Sequence, residues 1–118
     1  MKAKKMYFKE THLAGRQYYD VDEVWGELNP GMLLRLEREP DNRFDKNAVQ
    51  VVYERNEGDC FLLGYIPRDE NKEIAALLDM GWDEVFECRL SKIMPEEHYE
   101  NQIRLIIRIN KNEHVLAD

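Results

Sequence analysis

One polar connection in the first half of the chain combines residue types that could do chemistry. It joins residues 32–36 and 48–53, which both predict strands, and it contains Pro40, Asn42 and Phe44. Pro40 suits the first corner of a turn, and Asp and Asn suit the positions after it. Phe44 is a large aromatic residue among polar and charged neighbours, which a simple turn does not require. The connection therefore offers stacking, hydrogen-bonding and ionic groups together.

Aromatic and basic residues occur together in this connection and in two flanking segments. Single-stranded nucleic acid needs aromatic faces for its bases and cations for its phosphates, and these segments contain both. The same aromatic residues could instead fill the core of a small barrel, with the cations keeping its rim soluble. Spacing alone favours the core interpretation and leaves both open. The residues are Tyr18, Tyr19, Phe44, Tyr65, Arg16, Arg43, Lys46 and Arg68.

Other chemistries lack residues at the spacing that they need. The acidic residues in and before the connection match no cation-binding loop, so a solvated charged segment is expected there. The three histidines have no serine or cysteine nucleophile in an elbow-like context, and no phosphate-binding glycine motif is present. We therefore predict no catalytic residue, no metal and no cofactor. The acidic residues considered are Glu37, Glu39, Asp41 and Asp45.

Length and composition describe one small globular domain. The chain has 118 residues, of which 43% are hydrophobic and 35% charged. Its net charge of −7 argues against a broad, sequence-blind nucleic-acid binder but allows a small site with local basic groups. No apolar run could span a membrane and no signal peptide is visible, so a cytoplasmic protein with no membrane partner is expected. Cys60 and Cys88 are expected to be reduced and half-buried.

Hydrophobic patterning predicts a mainly β (α+β) fold with the order β-α-β-β-β-α-β-β. Asp20 is predicted to open the first helix in a capping box with Glu23. Asp69 is predicted to cap the second helix, Gly81 to end it, and Trp82 to close the core behind it. A small, strongly bent antiparallel sheet or partly open barrel follows. The strands are predicted over residues 6–14, 32–37, 48–53, 60–66, 85–94 and 103–109.

Three segments together resemble the HIRAN domain family. The central one, residues 36–51, matches the pattern R-E-P-x-N-x-[FY]-D-x-N-A-[VI], and Gly-Arg-Gln-Tyr-Tyr at 15–19 and Leu-Gly-Tyr-Ile-Pro-Arg at 63–68 flank it. The resemblance implies a single HIRAN-like domain over residues 1–118 with an OB-like barrel. Its signature region covers 8–80, the strand pair 85–110 carries no signature, and the tail 111–118 is expected to fray.

The resemblance also implies a function. The HIRAN domain of a eukaryotic replication-fork remodeller captures single-stranded DNA at a free 3′-hydroxyl end, and the resemblance implies the same role here, in DNA repair or processing. The family also occurs in bacteria, alone or beside nucleases and helicases. Carried over to this sequence, Tyr18 and Phe44 would sandwich the terminal bases. Asp45 would accept a hydrogen bond from the 3′-hydroxyl and would reject a 3′-phosphate, because like charges would meet in a confined site. With no companion domain in this sequence, the freestanding form is expected.

The remaining family positions include departures from the pattern. Asn42 would bond a base or sugar edge, and Tyr65 and Arg68 would line the exit, with Arg68 on a phosphate.

Gln17 stands where the DNA-binding relative has Arg, with Arg16 one residue earlier. Arg43 replaces a turn-setting proline and adds a cation. Relatives carry Tyr and His where this chain has Phe44 and Tyr65. These changes weaken the case for tight DNA binding and leave the implied fold intact. The implied contacts to DNA, beyond Tyr18, Phe44 and Asp45, come from Arg16, Gln17, Asn42, Arg43, Lys46, Tyr65 and Arg68.

Two other functions stay open at this stage. An acidic barrel with exposed strand edges could be a protein–protein interaction module that binds no DNA. A metal-dependent nuclease that uses the acidic residues of the connection is the third alternative and ranks last. The oligomeric state and the physiological partner are not determined by the sequence.

Overall fold

The computed structural model describes residues 5–82 and 84–111. The tail that the sequence predicts to fray, residues 111–118, lies outside the described residues except for Lys111. Within these described residues, six strands and two helices follow each other in the predicted order. Four short 3-10 turns lie between them, at Arg16–Tyr18, Trp25–Glu27, Arg68–Glu70 and Tyr99–Asn101. The elements are β1 (Lys5–His12), α1 (Val21–Val24), β2 (Leu33–Arg38), β3 (Val49–Asn56), β4 (Asp59–Tyr65), α2 (Lys72–Asp79), β5 (Phe86–Ile93) and β6 (Ile103–Asn110).

The strands form one antiparallel sheet in the order β1-β6-β5-β2-β3-β4. The sheet curls into a barrel that is not closed along its length. Just beyond β1, Ala14 forms an isolated bridge with Tyr65 of β4, with N–H to carbonyl distances of 2.9 and 3.0 Å in the two directions. The predicted fold class, a mainly β, OB-like, partly open barrel with two helices, is confirmed.

Alternation along the strands builds the core. In β6, Leu105 and Ile107 are fully buried, while Arg104 and Arg108 on either side of this pair are only partly covered. Successive side chains of a strand point to opposite faces, so one face of β6 packs inward and the other carries charge. The inward faces and helix α2, through Ile74, meet in one apolar cluster.

The first helix departs from the predicted capping box. Asp20 forms no side-chain cap on α1, which is a single turn of four residues. Its carboxylate accepts instead from the Leu62 N–H at 3.3 Å, and its own N–H donates to the Leu62 carbonyl at 2.9 Å. The exposed edge of β4 needs hydrogen-bond partners, and Asp20 supplies them.

The second helix begins later than predicted. Asp69 lies in a 3-10 turn, and α2 starts at Lys72 with Asn71 at the N-cap position. Gly81 follows the end of α2 with φ 87°, which confirms its predicted role as the left-handed C-terminal residue. Trp82 does not close the core; it is 52% exposed, and Leu78 of α2 packs against the core in its place.

The two cysteines differ in environment, so the prediction that both are half-buried was wrong. Cys88 on the inner face of β5 is buried, and burial raises the pKa of its thiol to about 12. Cys60 is exposed because it lies near the tip of the β3–β4 hairpin, where residues 54–58 are exposed as well. In the part of the chain that the structure describes, no helix is long and apolar enough to cross a membrane.

Replacing Gly64 should test the contact between the barrel edges. A Cβ at this position would lie 2.3 Å from the Ala14 carbonyl oxygen, so the backbones must separate. We expect Gly64→Ala to lower the free energy of unfolding by about 1–3 kcal/mol or more, as overpacking does. Gly26→Ala is the matched control, because a Cβ there meets nothing within 4 Å. Equal urea midpoints for the two variants would contradict the close approach.

Candidate nucleic-acid interface

The connection between β2 and β3, residues 39–48, is a loop closed firmly at its base; we call it the β2–β3 loop. The Glu39 N–H donates to the Ala48 carbonyl at 3.1 Å. Arg38 donates to the carbonyls of Ala48 and Lys46 at 2.6 and 2.9 Å, and its Nε donates to Asp79 at 2.7 Å. One guanidinium therefore joins both ends of the loop to the C-terminal end of α2.

Asn42 organises the tip of this loop. Its Oδ1 accepts the backbone N–H groups of Phe44 and Asp45, each at 2.9 Å, and its Nδ2 donates to Glu39 at 2.8 Å. Such bonds to an Asn side chain satisfy backbone N–H groups that have no neighbouring strand to bond to. The structure thus shows Asn42 holding the backbone on which Phe44 stands, whereas the sequence suggested a contact to a base or sugar.

A second polar contact supports the loop from β4. The Tyr65 hydroxyl donates to Glu39 Oε1 at 2.6 Å. Hydrogen bonds from Tyr65 and Asn42 lower the pKa of Glu39, because both favour the carboxylate. Burial, together with the bond to Glu39, raises the pKa of Tyr65 to about 12. Glu39 is therefore an internal support of the loop.

Asp45 has both carboxylate oxygens engaged. Oδ1 accepts the Asn47 N–H at 2.9 Å, and Oδ2 accepts Asn71 Nδ2 at 2.8 Å. Arg68 Nε lies 4.0 Å from Oδ2. The side chain is 19% exposed, so the carboxylate is fixed in place and still reachable. An ionised carboxylate has about four acceptor positions, so further donors can still bind.

A shallow cleft of about 220 Å³ lies beside the loop. It is smaller than the roughly 300–1,000 Å³ of pockets that enclose a whole small ligand. Phe44 lies on its rim with 84% of its surface exposed. Tyr19 contributes to its wall, with its ring 5.4 Å from that of Tyr65. The lining residues are Ala14, Tyr19, Asn42, Phe44, Asp45, Ala48, Tyr65, Ile66 and Arg68.

Tyr18 and Gln17 lie outside this lining, on the turn that precedes Tyr19. Tyr18 is 74% exposed and Gln17 is half-buried. The structure thus places five of the ten residues predicted from the sequence around one cleft, with Tyr18 exposed on the neighbouring turn. The five are Asn42, Phe44, Asp45, Tyr65 and Arg68.

Arg16 is not at the surface with the other cations. It is 5% exposed, and its guanidinium lies 4.8 Å from the Trp25 ring centre and 5.1 Å from that of Tyr99. Its Nε donates to Gln102 at 2.7 Å, and Asp22 lies 2.8 Å from Nη1. A buried guanidinium needs such partners. Arg16 therefore anchors the turn that presents Tyr18, instead of facing a ligand.

Three cations remain exposed on or beside the loop. Arg43 and Lys46 lie on the loop itself. Arg68, 68% exposed, follows β4 and donates to the Phe44 carbonyl, which fixes one side of the loop. In the described parts of the chain, no group of three or more His, Cys, Asp or Glu residues is placed to hold a metal ion.

Sequence reasoning missed two residues of the site. Tyr19 lies in the cleft lining, whereas the family resemblance assigned the stacking role in this segment to Tyr18. Asn71 was missed because Asp69 took the role of N-cap in the prediction. An Asn directly before the periodic apolar residues of α2 was the available signal.

Comparison with known proteins gives the family. A model of the HIRAN domain matches residues 6–110. The chain belongs to the HIRAN domain family. This confirms the resemblance found in the sequence motifs. HIRAN domains are known generally as nucleic-acid-binding modules.

Two curated relatives of this HIRAN domain are plant proteins. The chain is 33% identical over 84 residues, 71% of its length, to a Fanconi-associated nuclease 1 homolog of Arabidopsis thaliana. It is 32% identical over 92 residues, 78% of its length, to the homolog of Oryza sativa subsp. japonica. These matches cover 8% and 9% of the two relatives, so the chain spans less than a tenth of their length.

Two solved structures share the fold of this HIRAN domain. A protein from Lactobacillus plantarum superposes with a TM-score of 0.74 at 23% identity, covering 92% of this chain and 97% of that one. The HIRAN domain of human HLTF superposes with a TM-score of 0.63 at 21% identity, covering 96% of this chain and 85% of that one. At this level of identity the two structures support the fold.

The Tyr65–Glu39 contact predicts an alkaline titration. The pKa of Tyr65 is raised from 10.0 to about 12, so the folded state favours the neutral phenol. The stability that this contributes is present below about pH 10 and is lost as pH rises through about 12. In an ultraviolet tyrosinate titration of the HIRAN domain, Tyr65→Phe should remove a component near pH 12.

Two controls make this titration specific. Glu39→Gln should lower the pKa of Tyr65 only partway, because burial is the larger cause of the shift. Tyr7→Phe removes an exposed tyrosine of β1 and should leave the component near pH 12 in place. Loss of that component in Tyr7→Phe but not in Tyr65→Phe would contradict the assignment.

Proposed function

We propose that this domain is a non-enzymatic module that binds single-stranded DNA at a free 3′-hydroxyl end, in DNA repair or processing. One observation carries the proposal: Phe44 is 84% exposed on a loop whose backbone is fixed by hydrogen bonds, directly beside the Asp45 carboxylate. An aromatic platform next to a hydrogen-bond acceptor matches the two chemical features of a strand end, a base and a hydroxyl.

Aromatic stacking supplies the first part of the affinity. Phe44 and Tyr18 are the most exposed aromatic side chains, at 84% and 74%, and the backbone of each is held by neighbouring contacts. An aromatic ring on an ordered backbone costs less entropy to fix against a base than a ring on a mobile loop. Each base stacked on such a ring contributes about 1–3 kcal/mol. Tyr19, in the wall of the cleft beside Tyr65, adds a further aromatic surface.

Asp45 supplies selectivity for the chemistry of the strand end. Its carboxylate is oriented by Asn47 and Asn71 and keeps unused lone pairs. A 3′-hydroxyl can donate a hydrogen bond to one of them. A 3′-phosphate would place negative charge against the carboxylate in a partly enclosed site, which is unfavourable. The same geometry therefore favours one end and disfavours the other.

Three exposed cations supply phosphate contacts. Arg43, Lys46 and Arg68 are positioned on or next to the loop, and Arg68 is held there by its bond to the Phe44 carbonyl. With so few cations, the number of phosphates neutralised is small, so affinity should fall with salt along a shallow slope. Such a site suits a short stretch of strand near its end.

The partners of this activity are proposed from the relatives. Two relatives carry the name of a Fanconi-associated nuclease, and the matching segment is a small fraction of each. We propose that a nuclease or helicase, in another domain or another protein, acts on the DNA end that this domain holds. A protein–protein interaction module that binds no DNA remains the alternative that the binding measurements below test.

The stacking platforms can be tested by truncation. Phe44→Ala and Tyr18→Ala should each weaken binding of a short single-stranded oligonucleotide by about 1–3 kcal/mol, because each removes one stacked base. Fluorescence anisotropy measures the change. Tyr7→Ala is the matched control, since Tyr7 is 60% exposed but lies on β1 away from the cleft lining. No binding by the unaltered chain would favour the protein-interaction alternative.

End selectivity can be tested with matched oligonucleotides. The unaltered chain should bind a 3′-hydroxyl strand more tightly than the same strand with a 3′-phosphate, by roughly tenfold or more. Asp45→Asn should reduce this ratio because it removes the negative charge. Asp41→Asn, an exposed residue of the same loop outside the cleft lining, should leave the ratio unchanged. Equal affinity of the unaltered chain for both ends would remove the end-recognition part of the proposal.

A further inference from the structure

The segment between β4 and α2 contacts the β2–β3 loop at two adjacent residues. Arg68 donates to the Phe44 carbonyl, and Asn71 Nδ2 donates to Asp45 Oδ2 at 2.8 Å. The two donors differ in environment: Arg68 is 68% exposed, while Asn71 is 1% exposed. The Asn71 amide therefore bonds the Asp45 carboxylate away from water, whereas the Arg68 guanidinium bonds the loop backbone in contact with solvent.

Asn71 does not make the side-chain capping bond that is usual at its position. It occupies the N-cap position of α2, where an Asn side chain usually accepts a backbone N–H of the first turn. Here it makes no side-chain cap bond, although the Ala75 N–H donates to its carbonyl at 2.9 Å. Its side-chain amide donates instead to Asp45, which lies 26 residues earlier in the sequence. The helix thus forgoes a local bond in favour of a contact to the loop.

The two amide donors on Asp45 fix the carboxylate from both sides. The Asn47 N–H holds Oδ1, and Asn71 holds Oδ2. Together they prevent rotation of the carboxylate about its terminal bond, which a single donor would allow. The Asn47 contact is local to the loop and moves with it. Asn71 is therefore the donor that fixes the position of the carboxylate relative to the start of α2.

We propose that Asn71 is a positioning residue that sets the selectivity of this domain between hydroxyl and phosphate strand ends. By holding Asp45 Oδ2, it keeps the carboxylate aimed into the cleft, where a terminal hydroxyl finds an acceptor and a terminal phosphate meets a like charge. This inference rests on the proposed function, and it adds a residue that touches neither the base nor the phosphate. Asn71 acts through the Asp45 carboxylate, and its effect should appear in the ratio of the affinities for 3′-hydroxyl and 3′-phosphate strands.

A purely structural role of Asn71 predicts a different pattern. If Asn71 only filled space at the start of α2, its replacement would weaken binding of every single strand equally. If it positions Asp45, the loss should be confined to ends. A circular single strand has no end, so its affinity reports the stacking and phosphate contacts alone. The ratio between linear 3′-hydroxyl and 3′-phosphate strands reports the carboxylate.

Two substitutions test the proposal in the full chain. Asn71→Leu removes the donor at similar volume, and Asn71→Ala removes the donor without adding bulk or charge. Both should lower the 3′-hydroxyl to 3′-phosphate affinity ratio by roughly tenfold, as expected for losing a hydrogen bond to a charged group. Affinity for circular single-stranded DNA should change little. An unaltered ratio in both variants, with selectivity present in the parent chain, would overturn the proposal.

Hydrogen exchange separates this inference from the proposed function. Without DNA, the Asn47 amide should exchange faster in both variants, because its acceptor Asp45 is no longer held. Faster exchange supports the positioning role even if the parent chain proves not to distinguish the two ends, in which case the proposed end recognition fails. Unchanged exchange in variants with a normal melting temperature would overturn the role of Asn71 whatever DNA the domain binds.

Discussion

The close approach of β4 to the chain beyond β1 is the contact on which the site depends. At Gly64 the backbone passes so near the Ala14 carbonyl that no side chain fits between them. The next residue, Tyr65, exchanges two hydrogen bonds with Ala14. This bridge links the two edge strands and so fixes the cleft, because both residues line it. A glycine is required here by space and not by a left-handed backbone.

Three polar side chains of the β2–β3 loop, those of Glu39, Asn42 and Asp45, are used to hold the loop. Asn42 supports the backbone of Phe44 and Asp45, and Glu39 links Asn42 to Tyr65. The groups left for a ligand are therefore few: the face of Phe44, the spare lone pairs of Asp45, and exposed cations. Because the polar side chains order the loop backbone, Phe44 is solvent-exposed on a backbone of defined position. Exposure of Phe44 is unfavourable on its own, and the bonds to Asn42 order the backbone from which its ring projects.

The sequence predicted the fold where patterns are local and missed it where contacts are distant. Alternation of apolar residues in β6 and the turn residues of the β2–β3 loop follow from neighbours in the chain, so the strands and the loop were found. The environment of Arg16 depends on Gln102, which lies 86 residues away. The same holds for Asp20, which bonds to Leu62 and not to its own helix, because α1 is only one turn long.

The candidate site divides in the same way. The family motif located Phe44 and Asp45, because they lie in one continuous segment. Asn71 was not found, since its importance comes from a contact across 26 residues to a loop whose course no local pattern specifies. Arg16 was placed on the wrong side for a related reason. The resemblance counted it among the DNA contacts, whereas in the 3-10 turn it lies between Trp25 and Tyr99.

The negative net charge is compatible with a site for an anion because of how the charges are paired. Cations on the sheet are matched by acids: Arg35 contacts Glu37 and Glu54, and Lys5, Arg89 and Arg108 surround Glu87. Such pairs project little field beyond a Debye length of about 8–10 Å. Among the described residues, Arg43 and Lys46 take no part in these pairs and lie on the loop that carries Phe44. The total of −7 counts charges over the whole chain, whereas the field at the cleft is set by nearby groups of both signs, the cations of the loop and the carboxylates of Asp41 and Asp45.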